Sequence, residues 1–166
     1  MNCNRRWLIS VFSFLALVES NDVLDCVGDN SGSGTPSRIG GPNACEVRPN
    51  SKPWIVNFHG CGGTLISKNI VLTAKHCCRA GFCHEGDSVT LGDHDTDDFD
   101  VGEISIEIEE VKFLPGCPDC DLALVILKEE APSNRYIQAA NLPDLDEQCP
   151  PGKEVIVCGW GSEECN

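Results

Sequence analysis

The sequence predicts an all-β domain built as a closed antiparallel barrel. Beyond Pro53 the apolar runs are short, rich in β-branched residues and separated by turn residues, which is the spacing of strands rather than helices. Within one of these runs, from Ile104 to Glu109, isoleucines alternate with polar residues, as expected for a strand that has one wet face. Six runs are enough for one barrel, and closure removes exposed strand edges.

One strand is predicted from each apolar run. In chain order they are Trp54 to Phe58, Thr64 to Ser67, Ile70 to Thr73, Ser88 to Leu91, Ile104 to Leu114 and Leu122 to Leu127. A seventh run, Val155 to Cys158, would begin a second barrel that the 166 residues do not complete. The expected architecture is therefore a complete first barrel and a second barrel that is only begun.

The N-terminal region is predicted to be a secretory signal followed by a polar pro-segment. Two arginines precede an apolar run, Trp7 to Val18, that is too short to cross a membrane. Residues 1–20 are expected to form the signal. Residues 21–38, rich in Asp, Asn, Ser and Gly, are expected to form a pro-segment that cannot bury a core. The remaining domain, 39–166, is expected to be secreted and extracellular, without a membrane anchor.

The cysteine content indicates the compartment of the protein, and the net charge limits which partners it can bind. The chain has twelve cysteines in 166 residues, which fits an oxidising compartment where disulfides persist. Its formal net charge is -14, with acidic residues concentrated between Glu85 and Glu130. Such a field repels phosphate backbones and attracts cations or basic protein surfaces. Nucleic acid is therefore not an expected partner.

Three separated motifs carry a resemblance to a known peptidase family. They are Cys61-Gly62-Gly63-Thr64-Leu65-Ile66-Ser67 with Val71-Leu72-Thr73-Ala74-Lys75-His76-Cys77, then Asp121-Leu122-Ala123-Leu124-Val125, and then Cys158-Gly159-Trp160-Gly161. Together they resemble the trypsin/chymotrypsin-like serine peptidases and cover about Arg38 to Gly161. The resemblance implies a trypsin-like β-barrel fold and protein or peptide substrates. It also implies an activating protease and protease inhibitors as partners.

The resemblance implies roles for individual residues. A serine hydroxyl is a weak nucleophile at neutral pH and needs a base that a third group orients. His76 matches the general base of the family and Asp121 its orienting aspartate. Cys61 and Cys77 match the disulfide that holds the histidine loop. A Gly-Asp-Ser-Gly-Gly motif for the nucleophile is absent from the 166 residues, so this chain alone is expected to be inactive.

The segment that begins at Arg38 and Ile39 resembles the activation site of the family, where cleavage after the arginine exposes the isoleucine amine. It lacks the valine of the family pattern, and an ordinary Gly-rich linker is the alternative.

For the whole chain, the alternative to a peptidase is a non-catalytic secreted binding or decoy module. Retention of both His76 and Asp121 favours a peptidase, because a binding module has no need of a base and its orienter.

Further cysteines surround the expected site. Cys158 matches a cysteine that bridges to the second barrel in the family. The additional cysteines are expected to form bridges between the loop after His76 and the loop before Asp121, and a zinc site that includes His84 is the alternative. These additional cysteines are Cys78, Cys83, Cys117 and Cys120. The sequence leaves open the pairing of Cys26, Cys45, Cys149 and Cys165.

The acidic stretch Gly92 to Glu103 resembles the calcium loop of trypsins. Calcium takes six or more hard oxygen ligands. A structural calcium ion is one expectation for this stretch, a solvated run of charge is the alternative, and no cofactor is required for catalysis. The residues at the ligand positions of the family are Asp93, Asp100 and Glu103 through their side chains and Asp95 and Asp98 through their carbonyl groups.

Overall fold

A computed structural model describes residues 47–117, 119–144 and 158–160. Within these ranges, six antiparallel strands form a closed barrel in the order β1-β2-β3-β6-β5-β4. The predicted all-β barrel is confirmed, and each predicted run supplies one strand. The strands are β1 (Ile55–Asn57), β2 (Gly62–Ser67), β3 (Ile70–Thr73), β4 (Ser88–Leu91), β5 (Ile104–Phe113) and β6 (Ala123–Leu127).

The core is filled by side chains that alternate along the strands. On β5, Ile106 and Ile108 are buried and the residues beside them are exposed, as the period of two predicts. A register shift between Ile108 and Glu110 then moves the alternation by one residue, so that Val111 packs against the core. The largest fully buried side chains are Phe58, Leu65, Leu91, Ile108, Leu127 and Ile137.

The pairing of β3 with β6 decides which loops meet at one end of the barrel. Thr73, the last residue of β3, is the register partner of Ala123, the first residue of β6. Phe113, the last residue of β5, is the partner of Ala123 on the other side. Residues that follow Thr73 and residues that precede Ala123 therefore leave the barrel at the same end.

A short helix, α1 (Lys75–Arg79), follows β3 directly. It was not predicted, because five residues are too few for a helical period to show in the sequence. Cys77 and Cys78 of this helix are buried against the barrel. After α1 the chain turns back, and the amide of Phe82 donates a hydrogen bond to the carbonyl oxygen of Cys77 over 3.1 Å. The helix is thus held closely to the end of the barrel.

The acidic loop, residues 92–103, joins β4 to β5, and its two ends lie close together. Gly92 and Gly102 have φ angles of 75° and 92°. A Cβ atom on Gly92 would lie 2.8 Å from the carbonyl oxygen of Gly102, and one on Gly102 would lie 2.3 Å from Cδ2 of Tyr136. Both conformation and space therefore require glycine here. Because the loop precedes β5, it leaves the barrel at the end opposite to Phe113.

Some expectations fall outside the described residues. The signal peptide and pro-segment, residues 1–38, are among them, as are residues 155–157 of the expected seventh strand. The predicted domain boundaries therefore stay predictions. In the ranges that the structure does describe, no helix has the length and apolar character needed to cross a membrane.

Candidate active site

His76 and Asp121 meet at the end of the barrel where β3 and β6 pair. Nδ1 of His76 lies 2.5 Å from Oδ2 of Asp121, and the backbone amide of His76 donates a hydrogen bond to Oδ1 over 2.7 Å. One carboxylate thus holds both the ring and the backbone of the histidine. The His76 side chain is 42% exposed and that of Asp121 is 30% exposed. The structure brings the two residues together as the sequence predicted, and their catalytic roles stay predictions.

Strand register explains this contact between residues that are 45 positions apart. His76 follows Thr73 by three residues and Asp121 precedes Ala123 by two, and Thr73 and Ala123 are register partners. A carboxylate beside Nδ1 favours the imidazole tautomer that carries its proton on Nδ1. In that tautomer Nε2 is the ring nitrogen that can accept a proton.

The surroundings of Asp121 favour its charged form. Partial burial acts to raise the pKa of Asp121, but the side-chain and backbone hydrogen bonds from His76 and the charges of His76 and Lys75 outweigh it. The pKa of Asp121 therefore lies below its ordinary value. Lys75, the residue directly before the histidine, thus helps to stabilise the Asp121 carboxylate as an anion.

The pair borders an open depression that carries both signs of charge. Its lining includes Lys75 and Arg79 from α1, and Asp119 and Cys120 from the loop before β6. Arg79 and Asp119 were not singled out from the sequence, because each is a common surface residue with no motif around it. The surface beside His76 and Asp121 is therefore mixed, with basic residues on α1 and an acidic residue on the loop before β6.

A disulfide joins Cys61, directly before β2, to Cys77 of α1, with the Cα atoms 6.0 Å apart. This is the pair that the family resemblance implied. Sγ of Cys77 lies 3.5 Å from Nε2 of His76, so the bridge is in contact with the ring. The disulfide therefore fixes the segment that carries the histidine to the strand beside it.

The bridges expected between the two loops are wrong. Cys78 pairs with Cys83 and Cys117 pairs with Cys120, each within its own loop. The chain reverses after α1 at Gly81, whose φ is 101°, and this places Cys83 next to Cys78 in the core. All four sulfurs are thus paired inside their own loops, and no disulfide of the described residues joins the two loops. The zinc alternative fails too, because both bridges consume the thiolates that would bind the ion.

Three carboxylates of the acidic loop converge. Asp93, Asp100 and Glu103 offer oxygens that lie within 4.8 Å of one another. Oδ2 of Asp100 accepts hydrogen bonds from the amides of His94 and Asp95, over 2.7 and 2.8 Å. The amide of Asp100 itself donates to Oε2 of Glu103 over 3.0 Å. The backbone of the loop therefore holds two of the three carboxylates in place.

Asp93 has one oxygen without a partner. Its Oδ2 accepts a hydrogen bond from Nδ2 of Asn57 over 2.7 Å, whereas Oδ1 is buried and has no hydrogen-bond partner. Burial raises the pKa of Asp93, the Asn57 bond lowers it, and the charges of Glu103 and Asp100 raise it again, so that it lies above its ordinary value. An unsatisfied oxygen among mutually repelling carboxylates fits a hard cation such as Ca²⁺.

Further contacts hold the acidic loop. The carbonyl oxygen of Asp95, an expected calcium ligand, accepts a hydrogen bond from the amide of Asp98 over 3.0 Å. Nε1 of Trp160 donates to the carbonyl oxygen of His94 over 2.9 Å. Sequence reasoning missed the contacts of Asn57 and Trp160 with this loop, because both join residues far apart in the chain and neither belongs to a motif for ligand binding.

Comparisons with known proteins agree with this geometry. The family model described as Trypsin matches residues 42–166. The chain is similar to "Chymotrypsin-like elastase family member 1" of Rattus norvegicus, at 29% identity over an alignment of 147 residues that covers 80% of this chain and 53% of that protein. It is also similar to a solved structure described as "Structure of GrC", with a TM-score of 0.53 and 27% identity, over 64% of this chain and 51% of that chain.

The chain spans about half the length of the curated relative that it matches. Arg38 and Ile39 precede the matched range and lie outside the described residues, so the activation site stays a prediction. The matched range contains all six strands of the barrel and both His76 and Asp121. Since the family model covers most of the sequence and the barrel has the expected fold, the chain belongs to the trypsin/chymotrypsin-like serine peptidase family.

Proposed function

We propose that this protein is a secreted serine endopeptidase and that the 166 residues supply its general base, His76, and its orienting aspartate, Asp121. The observation that carries the proposal is the two-point contact between the Asp121 carboxylate and His76. A barrel has no structural need for a partly exposed imidazole held in this way. General base catalysis does need it, because the ring must be fixed in one orientation and one tautomer.

The roles follow the triad that is general for this family. Nε2 of His76 would take the proton of a serine hydroxyl as that oxygen attacks the peptide carbonyl. The charge of Asp121 would stabilise the imidazolium that forms, and His76 would then pass the proton to the leaving amine. The lowered pKa of Asp121 supports this role, since the carboxylate remains an anion at neutral pH.

The nucleophile must be a serine presented opposite backbone donors, as in a Gly-Asp-Ser-Gly-Gly segment. The 166 residues contain no such segment. Loss of one triad member generally costs about four to six orders of magnitude in rate. We therefore expect no peptidase activity from the 166-residue chain by itself.

Secretion and activation by cleavage complete this proposal. The disulfides of the described residues support it, because disulfides persist in oxidising compartments. Residues 1–20 would be removed as a signal peptide, and an activating protease would separate residues 21–38 by cutting between Arg38 and Ile39. The peptidase domain, 39–166 in this chain, would act on proteins or peptides and would meet protease inhibitors.

The acidic loop is proposed to hold a structural calcium ion. Asp93, Asp100 and Glu103 would contribute carboxylate oxygens, and Asp95 and Asp98 would contribute carbonyl oxygens. The unpartnered Oδ1 of Asp93 supports the proposal most strongly, because a cation would satisfy it. The ion would stabilise the loop by offsetting repulsion among the carboxylates, and catalysis would not require it.

The experiment compares the 166-residue chain with a longer form of the protein that contains a Gly-Asp-Ser-Gly-Gly segment, both cleaved after Arg38. The longer form should hydrolyse peptide esters and react with a serine-directed phosphonate, and the 166-residue chain should do neither. The variant His76→Ala of the longer form should fold and lose both reactions. Phosphonate labelling of the 166-residue chain, or full activity of the variant, would overturn the proposal.

A further inference from the structure

The Cys117–Cys120 disulfide lies directly before Asp121, in the loop that joins β5 to β6. Phe113 and Ala123 are register partners, so the chain leaves β5 and returns to an adjacent position within residues 114–122. The disulfide closes a small ring inside this loop, with its Cα atoms 5.3 Å apart and its cysteines separated by three positions. Asp121 is the first residue after that ring.

The barrel fixes Asp121 from one side only. On the C-terminal side, Ala123 pairs with Thr73 of β3 and with Phe113 of β5. On the N-terminal side, the constraints in the described part of the loop are the disulfide and a hydrogen bond from the amide of Cys120 to the carbonyl oxygen of Cys117, over 3.2 Å. Residues 114–116 are exposed. The position of Asp121 therefore depends on the ring that precedes it.

This disulfide is also the easiest of the described disulfides to reach. Cys117 and Cys120 are both partly exposed, whereas Cys78 and Cys83 are both buried, and the third bridge joins the partly exposed Cys61 to the buried Cys77. A thiolate must reach a sulfur atom to open a disulfide, and among the described disulfides Cys117–Cys120 is the one in which both cysteines are partly exposed, so we expect a reductant to open it most readily. Because the ring is the smallest of the three, it also contributes the least loop-closure entropy to the fold.

We propose, resting on the proposed function, that the Cys117–Cys120 disulfide is a positioning element for Asp121 and that its reduction by a thiol lowers peptidase activity while the barrel stays folded. The thiolate of the reductant attacks one sulfur, forms a mixed disulfide and releases the other cysteine. A second reductant thiolate then attacks the reductant's sulfur in the mixed disulfide, which forms the oxidised reductant and releases the remaining cysteine as a thiolate. The products are two cysteine thiols, whose protons come from two reductant thiols, and one oxidised reductant disulfide.

Opening the ring affects catalysis because the two hydrogen bonds between Asp121 and His76 need a fixed backbone. Those bonds measure 2.5 and 2.7 Å, and both use oxygens of the same carboxylate. A displacement of about 1 Å at a catalytic group costs roughly a hundredfold in rate. Released from the ring, the segment before Asp121 samples more conformations, and the fraction that makes both bonds falls.

The test uses the 166-residue chain with dithiothreitol as the reductant. Differential alkylation should show Cys117 and Cys120 modified first, while Cys78 and Cys83 remain bridged. Proton NMR then follows the low-field resonance of the His76 Nδ1 proton, which a hydrogen bond to a carboxylate protects from exchange. After selective reduction this proton should exchange with water about tenfold faster, because a charge-assisted hydrogen bond has been weakened. Reoxidation should restore the slow exchange.

The double variant Cys117→Ser/Cys120→Ser should match the reduced chain and retain a thermal midpoint close to that of the parent. A matched control, Cys78→Ser/Cys83→Ser, removes another short-range bridge, and it should instead lower the thermal midpoint because its sulfurs are buried. In a longer form that carries the nucleophile, reduction should lower kcat roughly a hundredfold with little change in KM.

The outcomes separate this inference from the proposed function. If the oxidised chain lacks the low-field proton, the pairing of His76 with Asp121 fails, and both proposals fail with it. If the proton is present but reduction leaves its exchange unchanged, only the positioning role of the Cys117–Cys120 disulfide is overturned. Unfolding of the barrel upon selective reduction would also overturn that role, because the bridge would then be a general support of the fold.

Discussion

Two partly buried carboxylates of this barrel, Asp121 and Asp93, are shifted in opposite directions by their surroundings. Around Asp121, hydrogen bonds from His76 and the charges of His76 and Lys75 outweigh burial, and they lower its pKa. Around Asp93, burial and the charges of Glu103 and Asp100 outweigh the hydrogen bond from Asn57, and they raise it. The same side chain is therefore stabilised as an anion in one region and destabilised in the other.

The difference shows which region is complete without a ligand. At the β3–β6 end of the barrel, both oxygens of Asp121 have partners, and disulfides fix the neighbouring segments. In the acidic loop, three carboxylates lie together, and one oxygen of Asp93 has no partner. The first region already has the contacts that the proposed orienting role of Asp121 needs, and the second has an unpartnered oxygen that the proposed calcium ion would satisfy.

The largest expected effect comes from making the same substitution in both regions. In a longer form that carries the nucleophile, Asp121→Asn should lower kcat by roughly ten-thousandfold, the loss that is general for this position of the family's triad. Asp93→Asn is the matched control and should leave kcat unchanged, because Asp93 does not contact His76. Steady-state kinetics with a peptide ester measures both. Equal losses in the two variants would contradict the separation of the two regions.

A second change removes a covalent bond from the His76 region. The Cys61–Cys77 bridge spans 16 positions, and a ring of this size typically contributes about 3 kcal/mol to the free energy of unfolding. The variant Cys61→Ser/Cys77→Ser should therefore lose about that much in a urea titration. Cys117→Ser/Cys120→Ser should lose less, since its ring spans three positions. A reversed order would show that ring size does not govern these contributions.

Calcium should stabilise the folded chain, because the ion would offset the repulsion among the carboxylates of the acidic loop. An ion that binds only the folded chain stabilises it by mass action, by about 1–3 kcal/mol at ten to a hundred times the dissociation constant. Calorimetry in millimolar calcium should show a raised thermal midpoint. Glu103→Gln should abolish the rise, and Glu109→Gln, the same change at an exposed position on β5, should preserve it. An unchanged midpoint in the parent chain would favour a solvated run of charge.

The strands were predictable because their signal is local. Ile70 to Thr73 and Ser88 to Leu91 are bounded by turn residues, and both strands were predicted to the residue. Helix α1 was missed, because one short turn of helix has no period. The register shift after Ile108 was also missed, since an extra residue in one strand depends on the partner strand.

Residues of the candidate site could be predicted from the sequence only where they belong to a family motif. His76 and Asp121 were identified by family motifs, and strand register then accounts for their contact. The pairing of Cys78 was predicted wrongly, because connectivity depends on how the chain turns after α1 and not on spacing alone. Long-range contacts such as that between Asn57 and Asp93 leave no local pattern, so they could be seen only in the structure.

The opposite pKa shifts imply opposite contributions to stability with pH. The lowered folded-state pKa of Asp121 adds stability that is present above its unfolded-state pKa and is lost as pH falls through the folded-state pKa. The raised pKa of Asp93 makes a contribution of the opposite sign to the pH dependence of stability. The chain loses stability as pH rises from the unfolded-state pKa through the folded-state pKa of Asp93, and it regains that stability as pH falls.

The most direct measurement is a carbon-detected NMR titration of the side-chain carboxyl groups of Asp121 and Asp93 in one calcium-free sample of the oxidised chain. We expect Asp121 to titrate below the ordinary aspartate pKa and Asp93 to titrate above it. His76→Ala should move Asp121 back towards its ordinary value and leave Asp93 unchanged. If Asp121 titrates at or above the ordinary value in the parent chain, then His76 does not hold it as an anion, and the central claim is contradicted.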